Sequence, residues 1–182
     1  MPACYETARL VLRPAAPDLS AAVADYYVRN RAFLAPFDPA REEDFFTAEG
    51  QRVLLEEEAA RREAGRSHRF YLSLKERPGE VVGLVGLNDL VRGAFQSCFL
   101  GYKLDGALLN RGYMTEAVRE TVRIAFGELG LHRVEANIMP RNVPSLRVAE
   151  KAGFYREGLA LKYLRINGVW EDHIHMVRRS DQ

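Results

Sequence analysis

The sequence contains little cysteine, because only Cys4 and Cys98 occur in 182 residues. One lies near the start and the other in an apolar run, which excludes a disulfide framework and favours a cytoplasmic location. The chain also lacks an excess of charge, with 26 Lys and Arg against 25 Asp and Glu and a formal net charge of +1. Proteins that bind nucleic acids are more often strongly basic, so no direct nucleic-acid partner is expected.

Long hydrophobic runs are absent as well. No apolar stretch approaches the roughly 20 residues that cross a membrane, and residues 1–9 contain no apolar segment like that of a secretion signal. We therefore expect no membrane partner. The length and the 47% share of hydrophobic residues predict one globular domain over residues 1–182, large enough to bury a core without disulfides or a metal.

A turn that leads into a helix is the most informative stretch. Residues 98–104 form an apolar run without a polar period, which is typical of a strand covered on both faces. After a turn near Gly112, apolar residues recur at helical spacing until Gly130 ends the pattern. The first amides of such a helix are donors at its positive end, and Gly112 lets a ligand approach the backbone, so the turn suits a phosphate. The alternative is an ordinary strand-to-helix turn that binds nothing.

The other elements follow from periodicity and turn residues. Strands are predicted at residues 6–14, 69–74, 81–87, 133–138, 163–166 and 169–176, the last two joined by the hairpin signal Asn167-Gly168. Helices are predicted from a cap at Asp18 to about residue 29, from a cap at Thr47 to residue 64, and from a cap at Asn142 to Gly153. Residues 33–39, rich in Pro and aromatics, are predicted to form a loop.

Several features have a structural interpretation beside a functional one. Gly83 and Gly86 within a strand indicate a bulge or the close approach of a ligand or another backbone. The charge run of the second helix is interpreted as a solvated face. His173 and His175 lie on one face of a strand, but no third ligand is spaced to join them in a metal site. A structural or solvent-facing role is therefore expected for both.

Three stretches resemble the GNAT superfamily of N-acetyltransferases, in the branch that acetylates the N-termini of ribosomal proteins. Residues 111–117, Arg-Gly-Tyr-Met-Thr-Glu-Ala, resemble its GxGyxxEA segment, and residues 7–14 resemble its opening TeRLxLRp. Residues 142–154 resemble NxxSxrvxEKxGF, the most specific match, and the resemblance spans residues 7–177. Asn110 and Ala107 stand where the pattern has a Gly and a basic residue. Because Asn tolerates left-handed backbone and can cap a helix, we expect the loop to form.

This resemblance implies an α/β (α+β) fold, a single GNAT-like domain. Its sheet would be mixed, mostly antiparallel, of about seven strands flanked by helices. A splayed strand pair would hold the pantetheine arm of the cofactor, and we expect the gap between the strand ending at Leu87 and the strand ending at Leu104. Asn88 and Asp89 would then lie near the reacting end.

The resemblance also implies acetyl-CoA as cosubstrate and no metal. The acceptor would be a protein N-terminus or a small amine, contacted by residues 33–47 and by the Asn167-Gly168 hairpin, and a homodimer is compatible with the family. The residues implied in cofactor binding are Leu104, Asn110, Arg111, Gly112, Tyr113, Met114, Thr115, Asn142 and Arg147.

Acetyl transfer needs a deprotonated amine, donors for the oxyanion and a proton for the leaving thiolate. The family branch implies Ser145 as the thiolate acid, since Ala149 stands where many relatives have a Tyr; Ser145 sharing in the helix cap is the alternative. Where some relatives have a Glu base, this chain has Asn137, which can hold a water. Glu135 on the same face would take the proton through a water chain, or else would be exposed and structural. A further carboxylate position of that branch holds Leu164.

Two functions are consistent with these residues. The first is an acetyl-CoA-dependent N-acetyltransferase, acting on the N-terminal α-amine of a protein, above all a ribosomal protein, or on a small amine. The second is a non-catalytic module that binds acyl-CoA.

Overall fold

The computed structural model describes residues 4–180, so residues 1–3 and 181–182 of the predicted domain lie outside the described part. Eight strands form one sheet, and four α-helices flank it. The strands are β1 (Tyr5–Glu6), β2 (Leu10–Pro14), β3 (His68–Leu74), β4 (Gly83–Val91), β5 (Ser97–Leu104), β6 (Arg133–Ile138), β7 (Tyr155–Ile166) and β8 (Val169–Arg179). The helices are α1 (Ser20–Leu34), α2 (Ala48–Glu63), α3 (Tyr113–Gly127) and α4 (Val143–Lys151).

The sheet has the order β1-β2-β3-β4-β5-β6-β8-β7. Every neighbouring pair is antiparallel except β5 and β6, which confirms the mixed, mostly antiparallel sheet. There are eight strands rather than about seven because the chain reverses after Glu6, so that the first predicted strand divides into β1 and β2. At the other edge, the hairpin turn is confirmed, with Asn167 and Gly168 both at positive φ (48° and 83°), as a two-residue turn requires.

The strands that separate are not the predicted ones. β4 and β5 pair without a gap from Gly83 and Leu104 to Asn88 and Phe99, so the splay expected between them is wrong. The parallel pair β5 and β6 is joined only from residues 97 and 133 to Phe99 and Glu135. Beyond that point β5 follows β4 and β6 follows β8, so each keeps an antiparallel partner while the two diverge.

The close approach of the neighbouring strand β5, rather than of a ligand, explains the glycine at position 83. A Cβ at this position would lie 2.5 Å from the carbonyl oxygen of Lys103, closer than Cβ atoms approach a neighbouring atom in proteins. The irregularity in this hairpin lies further along, between Asn88 and Val91, where Asp89 has a φ of 49°.

The first helix differs from its prediction at both ends. Asp18 lies in a 3-10 turn that begins at Pro17, and it pairs with Arg13 (2.9 Å) instead of capping α1. α1 then continues to Leu34, which places Phe33 in the helix, and it ends there because Pro36 has no backbone amide to continue the helical hydrogen bonds. The N-cap of α2 is Thr47, as predicted, and its side chain accepts from the Gly50 amide.

β7 is much longer than the predicted strand at residues 163–166. Its added residues, 155–162, lie at the edge of the sheet and are almost all exposed, so they lack the apolar alternation that marks a half-buried strand. Two irregularities interrupt its pairing with β8, and at the second the amide of Lys162 donates to Asp172 (2.8 Å).

The two faces of the sheet carry separate cores. α3 and α4 pack on one face, where the predicted apolar side of α3 is buried, from Ala117 to Ala125. α1 and α2 pack on the other face, against Tyr71 and Leu84. Alternating residues of β3 and β4 therefore point to different helix layers.

Glu116 joins the N-terminal strands to α3. Its carboxylate accepts from the Thr7 hydroxyl (2.5 Å), from the Arg9 amide (2.8 Å) and from the Arg9 guanidinium (2.8 Å). Burial raises the pKa of Glu116, but these hydrogen bonds outweigh it and hold the pKa below the ordinary value of 4.5. The charged form is therefore the one that the fold stabilises.

Glu116→Gln should lower the free energy of unfolding at pH 7 by about 1 to 3 kcal/mol, the usual contribution of hydrogen bonds to a charged group. Because the folded pKa is depressed, the contribution is complete above the unfolded value and is lost as the pH falls through the folded one. Denaturant unfolding at pH 7 and at pH 3 checks this, with Glu150→Gln, in an exposed pair with Arg147, as the control. A deficit of equal size at both pH values would contradict it.

Candidate active site

The turn before α3 leaves the helix start without a side-chain cap. Asn110 and Gly112 both have left-handed backbone, with φ of 61° and 81°, so Asn110 tolerates the conformation as predicted. The N-cap is Gly112, and Asn110 does not cap the helix. The first amides of α3 have no intrahelical partner, and no side chain of the cap accepts from them. They remain donors at the positive end of the helix.

Arg9 lies against this turn. Its guanidinium donates to the carbonyl of Arg111 (2.9 Å) and lies 4.4 Å from the centre of the Tyr113 ring. Arg111 itself is exposed, whereas the Met114 side chain is buried in the core, so only the backbone of Met114 is available to a ligand. Arg9 is not among the site residues predicted from the sequence, although it lies in one of the family-like stretches.

A groove of about 640 Å³ runs beside the start of α3. Of its basic side chains, Arg119 donates to the Lys151 carbonyl (2.6 Å) rather than to a carboxylate, and no ion pair within residues 4–180 involves the Lys151 ammonium. Amide donors, a glycine and these cations fit the phosphates of a nucleotide-like ligand. The groove is lined by Thr7, Ala8, Arg9, Gly112, Thr115, Glu116, Arg119, Glu120, Arg123 and Lys151.

Three further predicted cofactor residues flank the strand separation. Leu104 ends β5 and is 8% exposed, on the face that carries α3. Asn142 precedes α4 and its side chain accepts from the Ser145 amide (3.3 Å). Arg147 lies on the exposed side of α4, where it pairs with Glu150 (3.0 Å).

Ser145 lies in the first turn of α4, half-buried. Asn142 supplies the cap, and the Ser145 hydroxyl makes no hydrogen bond with another described residue, so the shared-cap alternative is not what the structure shows. The carbonyl of Ser145 accepts from the Tyr102 hydroxyl (2.7 Å), which ties α4 to β5. Burial raises the pKa of Tyr102, and the bond to Ser145 offsets this only in part, so Tyr102 stays a donor. No local pattern in the sequence predicts this contact, which joins residues 43 positions apart.

Glu135 is buried and occupied on both oxygens. One oxygen lies 2.6 Å from Nδ1 of His175, and the other accepts from Arg133 (2.6 Å). The exposed structural role considered for Glu135 is therefore wrong, since its exposure is 8%. Asn137, two residues further along the same face, donates weakly to the Tyr163 hydroxyl (3.4 Å), and its side-chain oxygen is buried without a partner.

The two histidines of β8 have different surroundings. Nδ1 of His173 lies 3.0 Å from the carbonyl of Glu171, whereas His175 contacts the carboxylate of Glu135. The solvent-facing role considered for them does not hold for His173, which is 3% exposed. Between Cys4 and Ser180 no group of three or more His, Cys, Asp or Glu is placed to hold a metal ion.

The loop after α1 and the β7–β8 hairpin meet beside β5. Asn167 donates to the carbonyl of Ala35 (2.9 Å), Arg141 donates to the carbonyl of Pro36 (3.1 Å), and Lys103 pairs with Asp38. Beside these contacts lies a pocket of about 330 Å³ lined by Tyr27, Arg31, Leu34, Ala35, Asp38, Pro39, Ala40, Arg41, Phe45, Phe46 and Asn167. The two segments predicted to contact an acceptor thus lie together.

Between residues 4 and 180, no helix combines the length and the apolar character that a membrane crossing needs.

Comparison with known sequences identifies the family. Residues 9–155 match the family model of the acetyltransferase (GNAT) domain. The chain is 48% identical over 144 residues to the probable N-acetyltransferase YjcK of Bacillus subtilis (strain 168), with 79% of each chain covered. It is 34% identical over 169 residues to the [ribosomal protein uS5]-alanine N-acetyltransferase of Escherichia coli (strain K12), covering 92% of this chain and 86% of the relative.

The fold agrees with these matches. Mycobacterium smegmatis RimJ in complex with CoA-disulfide superposes with a TM-score of 0.88 at 27% identity, covering 94% of this chain and 82% of that one. The chain therefore belongs to the GNAT acetyltransferase family, as an N-acetyltransferase that uses acetyl-CoA.

Proposed function

We propose that this N-acetyltransferase acts on the α-amine of a protein N-terminus, with ribosomal proteins as the substrate class. The pocket between the loop after α1 and the β7–β8 hairpin carries this proposal. The pocket lies beside Lys103, on the face of the sheet that also carries Asn137. The two chain segments that border it carry polar and aromatic side chains. An extended peptide suits such a pocket. The 34% identity to a ribosomal-protein acetyltransferase over 92% of the chain supports the same class.

Acetyl-CoA is proposed to lie with its diphosphate at the start of α3 and its pantetheine arm in the opening between β5 and β6. The first amides of α3, in Tyr113, Met114 and Thr115, would hold the diphosphate, because Gly112 puts no side chain in the way. Asn110 and Arg111 shape the same turn, and the guanidinium of Arg111 adds positive charge. The pantetheine arm would enter between β5 and β6, past Leu104, with Asn142 and Arg147 on the α4 side.

The proposed chemistry is direct attack of the amine on the thioester carbonyl. A C–N bond forms, the developing oxyanion accepts from a backbone amide of β5, and the C–S bond breaks as the tetrahedral intermediate collapses. Ser145 would give its hydroxyl proton to the thiolate and regain one from the attacking nitrogen. The support is positional, because its hydroxyl is free of other bonds and its backbone is fixed by Asn142 and Tyr102. Glu135 and Asn137 would serve proton removal on the opposite face of the sheet.

The acceptor class is tested by acetyl-CoA turnover with peptides. A peptide that begins with a free Ala or Ser should be acetylated with release of free thiol; Ala is the residue for which the relative of Escherichia coli is named. The matched control is the same peptide with a blocked N-terminus and an internal Lys, which should not react. Faster turnover, as kcat/KM, of small amines than of every peptide tried would contradict the proposal.

Ser145→Ala should lower kcat by more than about tenfold and leave the Kd for acetyl-CoA unchanged, because the hydroxyl would act in the transition state. The melting temperature should hardly move, since Asn142 still caps α4. Tyr102→Phe is the control, because it removes the bond to the Ser145 carbonyl and keeps the Ser145 hydroxyl. Full turnover by Ser145→Ala at saturating substrate, from neutral to alkaline pH, would leave water as the acid.

A further inference from the structure

We propose that His175, held by Glu135, is the base that takes the proton from the acceptor ammonium. This inference rests on the proposed function and names the group beside Glu135 and Asn137 that takes the proton. It differs from the expectations from the sequence, in which Glu135 received the proton through a water chain or was exposed and structural, and His175 had a structural or solvent-facing role.

The bond between Glu135 and His175 fixes which nitrogen of the ring is the base. Glu135 is engaged by the Arg133 guanidinium on its other oxygen, so it is a carboxylate, which can only accept. At 2.6 Å from that carboxylate, Nδ1 of His175 must carry the hydrogen. In the neutral ring Nε2 is then the unprotonated nitrogen, and it makes no hydrogen bond with any described residue. The side chain of His175 is 22% exposed, so the ring is reachable.

The side chains around His175 are charged and aromatic. Glu135 lies against Nδ1, and Glu135 and Glu157 both pair with Arg133. The centre of the Tyr163 ring lies 5.0 Å from the centre of the His175 ring and 5.7 Å from that of His173. A carboxylate beside Nδ1 stabilises the imidazolium that exists while the proton is on Nε2.

His175 also lies at the right place in the sheet. It is the cross-strand partner of Asn137, which is two residues beyond the last paired residue of β6 with β5, Glu135. His175 alternates with Ile174 and Met176, which point into the core beneath α3 and α4, so it faces the acceptor side. The side-chain oxygen of Asn137, buried and without a partner, is an acceptor suited to an incoming N–H.

The other candidates on this face are occupied. Both oxygens of Glu135 are already bonded, and the ammonium of Lys103 is paired with Asp38.

With His175 as the base, both protons that the acceptor nitrogen loses are accounted for. An N–H bond of the ammonium breaks, its electron pair stays on nitrogen for the attack, and the proton moves to Nε2 and from there to water. The second proton lost by the nitrogen goes to the thiolate.

The test compares His175→Asn with His173→Asn, using the acceptor that the wild type turns over best. Asn can still donate to Glu135 in place of Nδ1 but has no counterpart of Nε2. His173, on the same face of β8, is the control, because its hydrogen bond is to a backbone carbonyl and not to a carboxylate. At pH 7 only about a tenth of α-amines with an ordinary pKa near 8 are unprotonated. His175→Asn should therefore lose about tenfold or more in kcat/KM at pH 7 and less than about twofold at pH 9.5.

His173→Asn should stay within about twofold of the wild type at both pH values, and the Kd for acetyl-CoA should be unchanged in both variants. Glu135→Gln provides a second arm and should show the same loss at pH 7 with recovery at pH 9.5. Full activity of His175→Asn at pH 7, or an equal loss at both pH values in both arms, would overturn the inference. If the wild type acetylates small amines and no peptide, the acceptor proposal fails while the comparison at His175 is still decided on that amine.

Discussion

The parallel pairing of β5 and β6, and its end after Phe99 and Glu135, is the constraint on which the rest of the structure depends. Two parallel neighbours need a crossover, here α3, and the crossover begins where β5 ends. The opening between the strands and the uncapped start of α3 therefore lie at the same edge of the sheet. An antiparallel partner on the outer side of each strand, β4 and β8, satisfies the backbone while the two diverge. A ligand with phosphates at one end and a thioester at the other matches this arrangement.

The alternation of the strands then divides the chemistry between the two faces. Tyr102 and Lys103 are adjacent in β5 and point to opposite sides, Tyr102 to the carbonyl of Ser145 at the start of α4 and Lys103 to Asp38 in the loop after α1. β6 shows the same division, because Ala136 packs in the core while Asn137 faces the acceptor side. In the proposed reaction the leaving group is thus protonated from one face and the amine deprotonated from the other.

The features that the sequence predicted correctly depend on residues close together in the chain. They are the apolar face of α3, the N-cap at Thr47 and the hairpin turn at Asn167-Gly168. The pairing of β6 with β8 was not predictable in this way, because it joins Glu135 to His175 across 40 positions. The splay was assigned to the wrong strand pair for the same reason. Residues 155–162 of β7 were missed because an exposed edge strand needs no apolar alternation.

The proposed binding of acetyl-CoA depends on the backbone amides at the start of α3. Calorimetry of acetyl-CoA binding to Gly112→Ala and Gly130→Ala tests this dependence, because both glycines have left-handed backbone (φ of 81° and 61°) but only Gly112 adjoins the groove. We expect at least about tenfold weaker binding for Gly112→Ala, roughly 1.4 kcal/mol, and wild-type binding for Gly130→Ala. Unchanged affinity in a folded Gly112→Ala variant, or an equal loss in both, would contradict it.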